Sequence, residues 1–182
     1  DKSFIVSSDK DFLQLVDENV VVYRPMEKEY YTPQTVIDKY KLSPHNFILH
    51  KTLLGDNSDK IKGVKGLGEK GLLKKFPELI EKDMSWGDIL NICEEKISEH
   101  LVYARIIHGR DDLEKNYKIM DLSNPMLSKE DKIWLDEIVA SDNLPYYPDQ
   151  FVSMYNEDQI GGLIRNVEFW VKDCFNNLVI KK

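Results

Sequence analysis

The sequence predicts a mixed α/β chain, with strands confined to its beginning and helices filling the rest. Three observations carry this. Apolar runs suited to strands, Phe4-Ile5-Val6 and Val20-Val21-Val22-Tyr23, occur only near the N-terminus. Beyond them, apolar residues recur at helical spacing. Helix-starting residues (Thr32-Pro33, Ser43-Pro44, Ser85, Ser128) stand ahead of those runs.

Phe4-Ile5-Val6 reads as a buried strand, followed by Ser7-Ser8-Asp9-Lys10-Asp11 and a short helix to Leu15. Val20 to Tyr23 reads as a second strand, paired with Glu29-Tyr30-Tyr31 across the Pro25-Met26-Glu27-Lys28 turn. Thr32-Pro33 opens a helix to about Tyr40. Ser43-Pro44 opens another through His45, Phe47, Ile48, Leu49 and Leu53, ended by Gly55. Glu69 to Phe76 is a helix stopped by Pro77, its N-terminus towards a glycine loop. Ser85 caps a helix carrying Trp86, Ile89, Leu90, Ile92 and Cys93, and Ser98 to His108 continues helically. Tyr117 to Leu122 reads as a short extended piece, and Ser128 caps a helix to about Ala140. Pro145 and Pro148 mark a tight connection. Helices over 149–159 and 162–176 finish the chain around Gly161-Gly162.

At 182 residues, one domain with a proper core, with room for a small subdomain, is the expectation. A 42% hydrophobic fraction is that of a soluble globule, and no apolar run approaches the roughly 20 residues needed to span a bilayer. Without a signal peptide, the expected location is the cytoplasm. Cys93 and Cys174 lie far apart and are expected to be free core thiols. Trp86, Trp134 and Trp170 are expected in the core. The net charge of −7 argues against a general polyanion binder, yet Lys60 to Lys75 holds six lysines and one glutamate.

The chemistry concentrates in Leu54-Gly55-Asp56-Asn57-Ser58-Asp59-Lys60-Ile61-Lys62-Gly63-Val64-Lys65-Gly66-Leu67-Gly68-Glu69-Lys70. Asp56 and Asp59 can aim at one divalent cation. Gly63 to Gly68, flanked by Lys62, Lys65 and Lys70, can bring backbone close to a phosphate strand. Asp9 and Asp11 follow a strand, where open α/β sheets place ligand sites. Metal next to a phosphate-gripping loop suggests phosphodiester chemistry. Lys10, between two acids, is by default a solvated lysine, or else it helps neutralise them or touches a phosphate. Leu13 stands where an EF-hand needs an oxygen, so that loop is excluded. The Gly-Lys-Ser/Thr ending of a P-loop is missing. His45, His50, His100 and His108 have no metal spacing and read as surface or core residues.

Ser-x-Asp-x-Asp-x-x-Gln-Leu followed by Leu-Gly-Asp-x-x-Asp-x-x-x-Gly-Val-x-Gly-Leu-Gly-x-Lys resembles the 5′-nuclease (flap endonuclease) superfamily. Its members include the 5′-3′ exonuclease domain of bacterial DNA polymerase I, phage 5′-exonucleases and the T4-type phage ribonuclease H. The resemblance covers roughly residues 3–76. It implies that Asp9, Asp11, Asp56 and Asp59 are metal ligands. It also implies that Lys62, Gly63, Val64, Lys65, Gly66, Leu67, Gly68 and Lys70 form the helix-hairpin-helix DNA-binding motif. Two-metal hydrolysis with Mg²⁺ or Mn²⁺ is the expected mechanism, and K⁺ is expected at the hairpin. The implied fold is the C-terminal part of a PIN-like or Rossmann-like nuclease sheet, followed by a helical region.

Lys60, Lys62 and Gly71 depart from residues common in the family, but they leave the ligands intact. The family's upstream strand, arch and acidic cluster have no counterpart before Asp9. The chain is therefore read as the C-terminal portion of a longer nuclease or one half of a split one. Residues 1–54 would complete the nuclease core, 55–110 bind DNA and 111–182 pack as helices on the core. Expected partners are duplex or flap DNA, an RNA–DNA hybrid, and the missing N-terminal half, in a bacterial or phage-infected cell, with no membrane. The alternatives are a non-catalytic duplex-binding module lacking half the active site, and a structural helix-hairpin-helix scaffold.

Overall fold

The computed structural model describes residues 2–141, 147–158 and 164–175. The chain divides into two compact units, Asp1–Met126 and Leu127–Lys182. The first begins with a three-stranded sheet of order β1-β2-β3 (Ser3–Val6, Val20–Arg24, Glu29–Tyr31). β1 and β2 run parallel, with Phe4 opposite Val21, joined through a 3₁₀ helix over Lys10–Leu15. β2 and β3 form the expected antiparallel hairpin, with Tyr23 opposite Tyr30.

β1 departs from the buried strand its apolar run suggests. Phe4 is 58% and Val6 67% exposed, because among the described residues β1 pairs on one edge only and nothing covers that face. Phe4 meets Tyr30 edge-on at 6.3 Å.

Helix α1 (Pro33–Tyr40) starts at Thr32, whose hydroxyl accepts from the Thr35 amide at 3.3 Å, with proline at the first turn. α2 (Phe47–Leu54) begins three residues after Ser43-Pro44. Asn46, fully buried, explains the delay. Its side-chain amide donates to the Leu79 and Lys82 carbonyls at 2.9 and 2.8 Å, and its oxygen accepts from the Met84 amide at 2.8 Å. Satisfying three backbone groups outweighs one more helical turn.

Gly55 ends α2 and enters a two-stranded hairpin, β4 (Gly55–Asp56) with β5 (Ile61–Lys62). α3 (Glu69–Lys75), α4 (Glu78–Glu81), α5 (Trp86–Glu95), α6 (Leu101–His108) and α7 (Arg110–Met120) follow. Ser85 forms a full capping box with Asp88 at α5. Tyr117 to Met120 is helical, not extended. Leu113 and Met120 are buried and Tyr117 half-buried on one face of α7, so packing overrides the local β-like composition.

Two apolar clusters form the core of this unit. One holds Leu13, Val16, Val22, Tyr31, Val36, Leu42 and Phe47, and the other is built from the helices, with Leu49, Leu53, Leu72, Phe76 and Ile106 fully buried. α2 contributes to both, Phe47 to the first and Leu49 and Leu53 to the second, so it is the fixed wall between sheet and hairpin.

In the second unit, Ser128 and Asp131 form the capping box of α8 (Lys129–Ala140). α9 (Pro148–Glu157) carries Pro148 in its first turn, and α10 spans Val167–Phe175. Pro145, Gly161-Gly162, the last residue of the expected 149–159 helix and both ends of the expected 162–176 helix lie outside the described residues. Trp134 is 60% exposed, Trp170 37% and Trp86 half-buried, so the expected core tryptophans are mostly surface residues. Both thiols are free. Cys93 is buried but Cys174 is exposed, which corrects its core assignment. No helix among the described residues is long and apolar enough to cross a membrane.

Candidate metal centre and glycine hairpin

Three of the four proposed ligands meet. Carboxylate oxygens of Asp11, Asp56 and Asp59 all lie within 4.8 Å of one another. Each comes from a different device. Asp11 rides on the first turn of the 3₁₀ helix, and Asp56 is fixed in β4 opposite Ile61. Asp59 sits in the tight turn between β4 and β5, where Lys60 adopts φ 60° to close it.

Asp9 is not part of this group. Its carboxylate accepts from the Asp11 amide at 2.9 Å and caps the 3₁₀ helix. Gln14, buried behind it, donates to the carbonyls of Asp11 and Met120 at 2.9 and 3.0 Å and accepts from the Leu122 amide at 3.0 Å. The segment bearing Asp11 is thus clamped to the end of α7.

Lys51 escaped sequence reasoning. It projects from α2 and ion-pairs with both Asp11 and Asp56, its side chain only 13% exposed. Burial opposes its charge, but the hydrogen bonds it donates to the two acids outweigh this and raise its pKa. Hydrogen bonds from Lys51 and then Ser58 hold the Asp56 carboxyl well below the usual carboxylate range. The available signal was a lone cation within the apolar run Phe47 to Leu53, five residues before Asp56.

The donor set fits a hard divalent cation. It is all carboxylate oxygen, and the Lys51 ammonium already places positive charge against two of the acids.

The glycine loop follows directly. Gly55 has φ 78°, and a Cβ there would lie 2.3 Å from the Gly63 nitrogen. A Cβ on Gly63 would lie 2.1 Å from the Leu54 carbonyl carbon. Val64 donates to the Leu53 carbonyl at 2.8 Å and Leu67 to Val64 at 3.0 Å, while both side chains are buried among the helices. Gly66 has φ 83°, which favours glycine. Gly68, the N-cap of α3, has open space around it, and Lys62, Lys65 and Lys70 are exposed. From behind, Arg105 donates to the Lys65 carbonyl at 2.7 Å and Asn116 to the Lys62 carbonyl at 3.0 Å. Neither bracing residue was anticipated, since both lie 40 or more positions downstream. The loop therefore presents lysines and glycine backbone outward on a rigid base.

No family model matches the chain. It is 36% identical over 135 residues to a 5′-3′ exonuclease of Aquifex aeolicus, covering 70% of this chain and 42% of that one. The chain is homologous to 5′-3′ exonucleases. It is also 35% identical over 113 residues to the thermostable DNA polymerase I of Thermus thermophilus, across 56% of this chain and 13% of the polymerase. Among solved structures it resembles the zinc-bound phage T5 5′-exonuclease, with a TM-score of 0.56, 22% identity, and coverage of 67% of this chain and 44% of that one. A T5 flap endonuclease complex with DNA and metal ions gives a TM-score of 0.57 at 20% identity, over 78% of this chain and 48% of that one. The two T5 likenesses establish the fold as that of the 5′-exonucleases. The chain spans less than half the length of these exonucleases.

Proposed function

We propose that this chain is the metal-binding and duplex-gripping portion of a structure-specific 5′ nuclease that hydrolyses phosphodiester bonds in flap or nicked DNA. The observation that carries it is the meeting of Asp11, Asp56 and Asp59 directly before the glycine hairpin, in a chain homologous to exonucleases. Bound Mg²⁺ or Mn²⁺ would supply charge neutralisation at the scissile phosphate and an activated water. Asp11, Asp56 and Asp59 would hold such ions, and Asp9 would set the turn that aims Asp11. Lys51 would keep the acids from repelling one another and the phosphate strand. Gly63 to Gly68, with Lys62, Lys65 and Lys70, would grip the duplex through phosphates without reading bases. A potassium ion at the hairpin would be held by its backbone carbonyls, of which those of Lys62 and Lys65 each already accept one hydrogen bond, from Asn116 and Arg105. An RNA–DNA hybrid is a second candidate substrate for the same phosphate-directed grip.

The three-acid group, with one lysine against three carboxylates, also favours a second reading. On it, the chain alone binds duplex but cuts only when a separate or preceding nuclease segment supplies further carboxylates. We place its action with cellular or phage DNA in the cytoplasm.

The test is a labelled 5′-flap duplex with Mg²⁺ or Mn²⁺, with Asp56→Ala, Asp9→Ala and Lys65→Ala alongside. Cleavage abolished by Asp56→Ala supports the nuclease reading. Salt-sensitive binding without cleavage, weakened by Lys65→Ala, supports the module. Neither cleavage nor binding overturns both.

A further inference from the structure

Three helices line a half-open cavity that the metal centre does not use and that shares only Lys70 with the hairpin's lysines. α1 ends in Tyr40 and Lys41, α2 presents His50, and α3 opens with Glu69 and Lys70. These residues, with Lys39 and Leu73, line about 230 Å³. That is smaller than the roughly 300–1,000 Å³ of typical small-molecule sites, and at about 30 Å³ per water it holds some seven waters. One phosphate group with its hydration fits.

The charge in it is positive and partly uncommitted. Lys39 is engaged by Glu29 and by the Tyr31 hydroxyl. Lys70 forms no ion pair among the described residues, and Lys41 only donates to the Asp38 carbonyl at 2.7 Å. Glu69, mostly exposed, offsets one of these charges. Lys41 sits at the left-handed C-cap of α1, φ 59°, where glycine or asparagine is usual.

His50 supplies a directional donor. Its ring stacks on Phe47 at 5.5 Å and meets Tyr40 edge-on at 6.3 Å, so its plane is fixed. Its Nδ1 is buried without a partner, and its Nε2 faces Glu69 at 4.0 Å, beyond hydrogen-bond length. Nδ1 is thus the ring's buried nitrogen, while Nε2 makes no hydrogen bond within the protein and stays open to the cavity. Burial holds its pKa below the ordinary value, which leaves a neutral ring with one N–H to donate.

We propose that this cavity is a phosphate subsite, with Lys41 and Lys70 flanking the anion and His50 Nε2 donating to it. It rests on the duplex-gripping reading and extends that grip from the hairpin onto α1 and α2, so that a phosphodiester of the same flank is its occupant.

The test has two arms on the full chain. In the first, inorganic phosphate is titrated while the histidine ring signals are followed by NMR, with His50→Gln assigning them. The His50 signals shift saturably and those of His45, His100 and His108 do not. Lys41→Asn, which keeps the left-handed cap, weakens the phosphate at least threefold. In the second, nicked-duplex affinity is measured against salt in EDTA. Lys41→Asn lowers the log–log slope by about one, the value of one phosphate contact. Unmoved His50 signals overturn the subsite. So does an unchanged slope in Lys41→Asn while Lys65→Ala weakens binding, and the duplex reading then stands. Phosphate that shifts His50 in a chain that binds no duplex sinks the duplex reading and leaves the subsite.

Discussion

Gly55 and Gly63 lie back to back, and neither has room for a methyl group. The 2.3 Å and 2.1 Å approaches of their hypothetical Cβ atoms are to backbone, which cannot swing aside. This contact sets where the β4–β5 hairpin turns over into the glycine loop.

Gly63→Ala is therefore expected to separate the two strands, at a cost of about 3 kcal/mol or more. Urea denaturation of the chain measures it. Gly68→Ala, with open space around its position, is expected to lie within about 1 kcal/mol of wild type. Equal losses in the two variants would refute the close-contact account.

Lys51 holds Asp11 and Asp56 together without metal. Lys51→Met leaves two largely buried carboxylates facing each other, and the expected loss is about 2 kcal/mol in EDTA, between surface and buried ion-pair values. Mn²⁺ should then raise the Tm of Lys51→Met more than that of wild type, because the cation takes over the neutralising role. Matching shifts in both proteins would argue against cation binding at these acids.

Asp56 sets an acid limb of stability. Its carboxyl pKa is depressed in the folded chain by Lys51 and Ser58. Its contribution is thus complete above the unfolded value of about 3.9 and is lost as pH falls below it. Asp56→Asn should flatten the fall in stability below about pH 4, followed by urea midpoints from pH 6 to pH 3. An unaltered slope would mean that other acids control the limb.

The two thiols should differ sharply. Burial pushes the Cys93 thiol up to about 12, while Cys174 is exposed. A thiol reagent at pH 8 is expected to modify one cysteine at once and the second only in denaturant. Rapid loss of both would show that α5 opens readily.

What could be read from the sequence was local. Thr32-Pro33, Ser85 with Asp88, and Ser128 with Asp131 specify helix starts through bonds made within four residues. The Asp56–Asp59 and Gly63–Gly68 spacings carried the site for the same reason. What could not be read depends on distant partners. Asn46 delays α2 because of carbonyls more than thirty positions away, and α7 continues through Tyr117 because α2 lies beneath it. Phe4 and Trp134 have apolar side chains, but whether they are covered depends on neighbours that pattern alone does not name. Asp9 and Asp11 look equivalent at i, i+2; the 3₁₀ turn between them gives one to a backbone amide and the other to the acid cluster.

The Arg105 and Asn116 bonds to the Lys65 and Lys62 carbonyls have a practical consequence. The glycine loop is not portable. A peptide or graft carrying only residues 53–76 would keep every outward lysine and lose the two struts that brace its backbone. Any minimal fragment that keeps the loop's shape must run at least through α7, and transplanting the loop onto another scaffold requires transplanting its buttress as well.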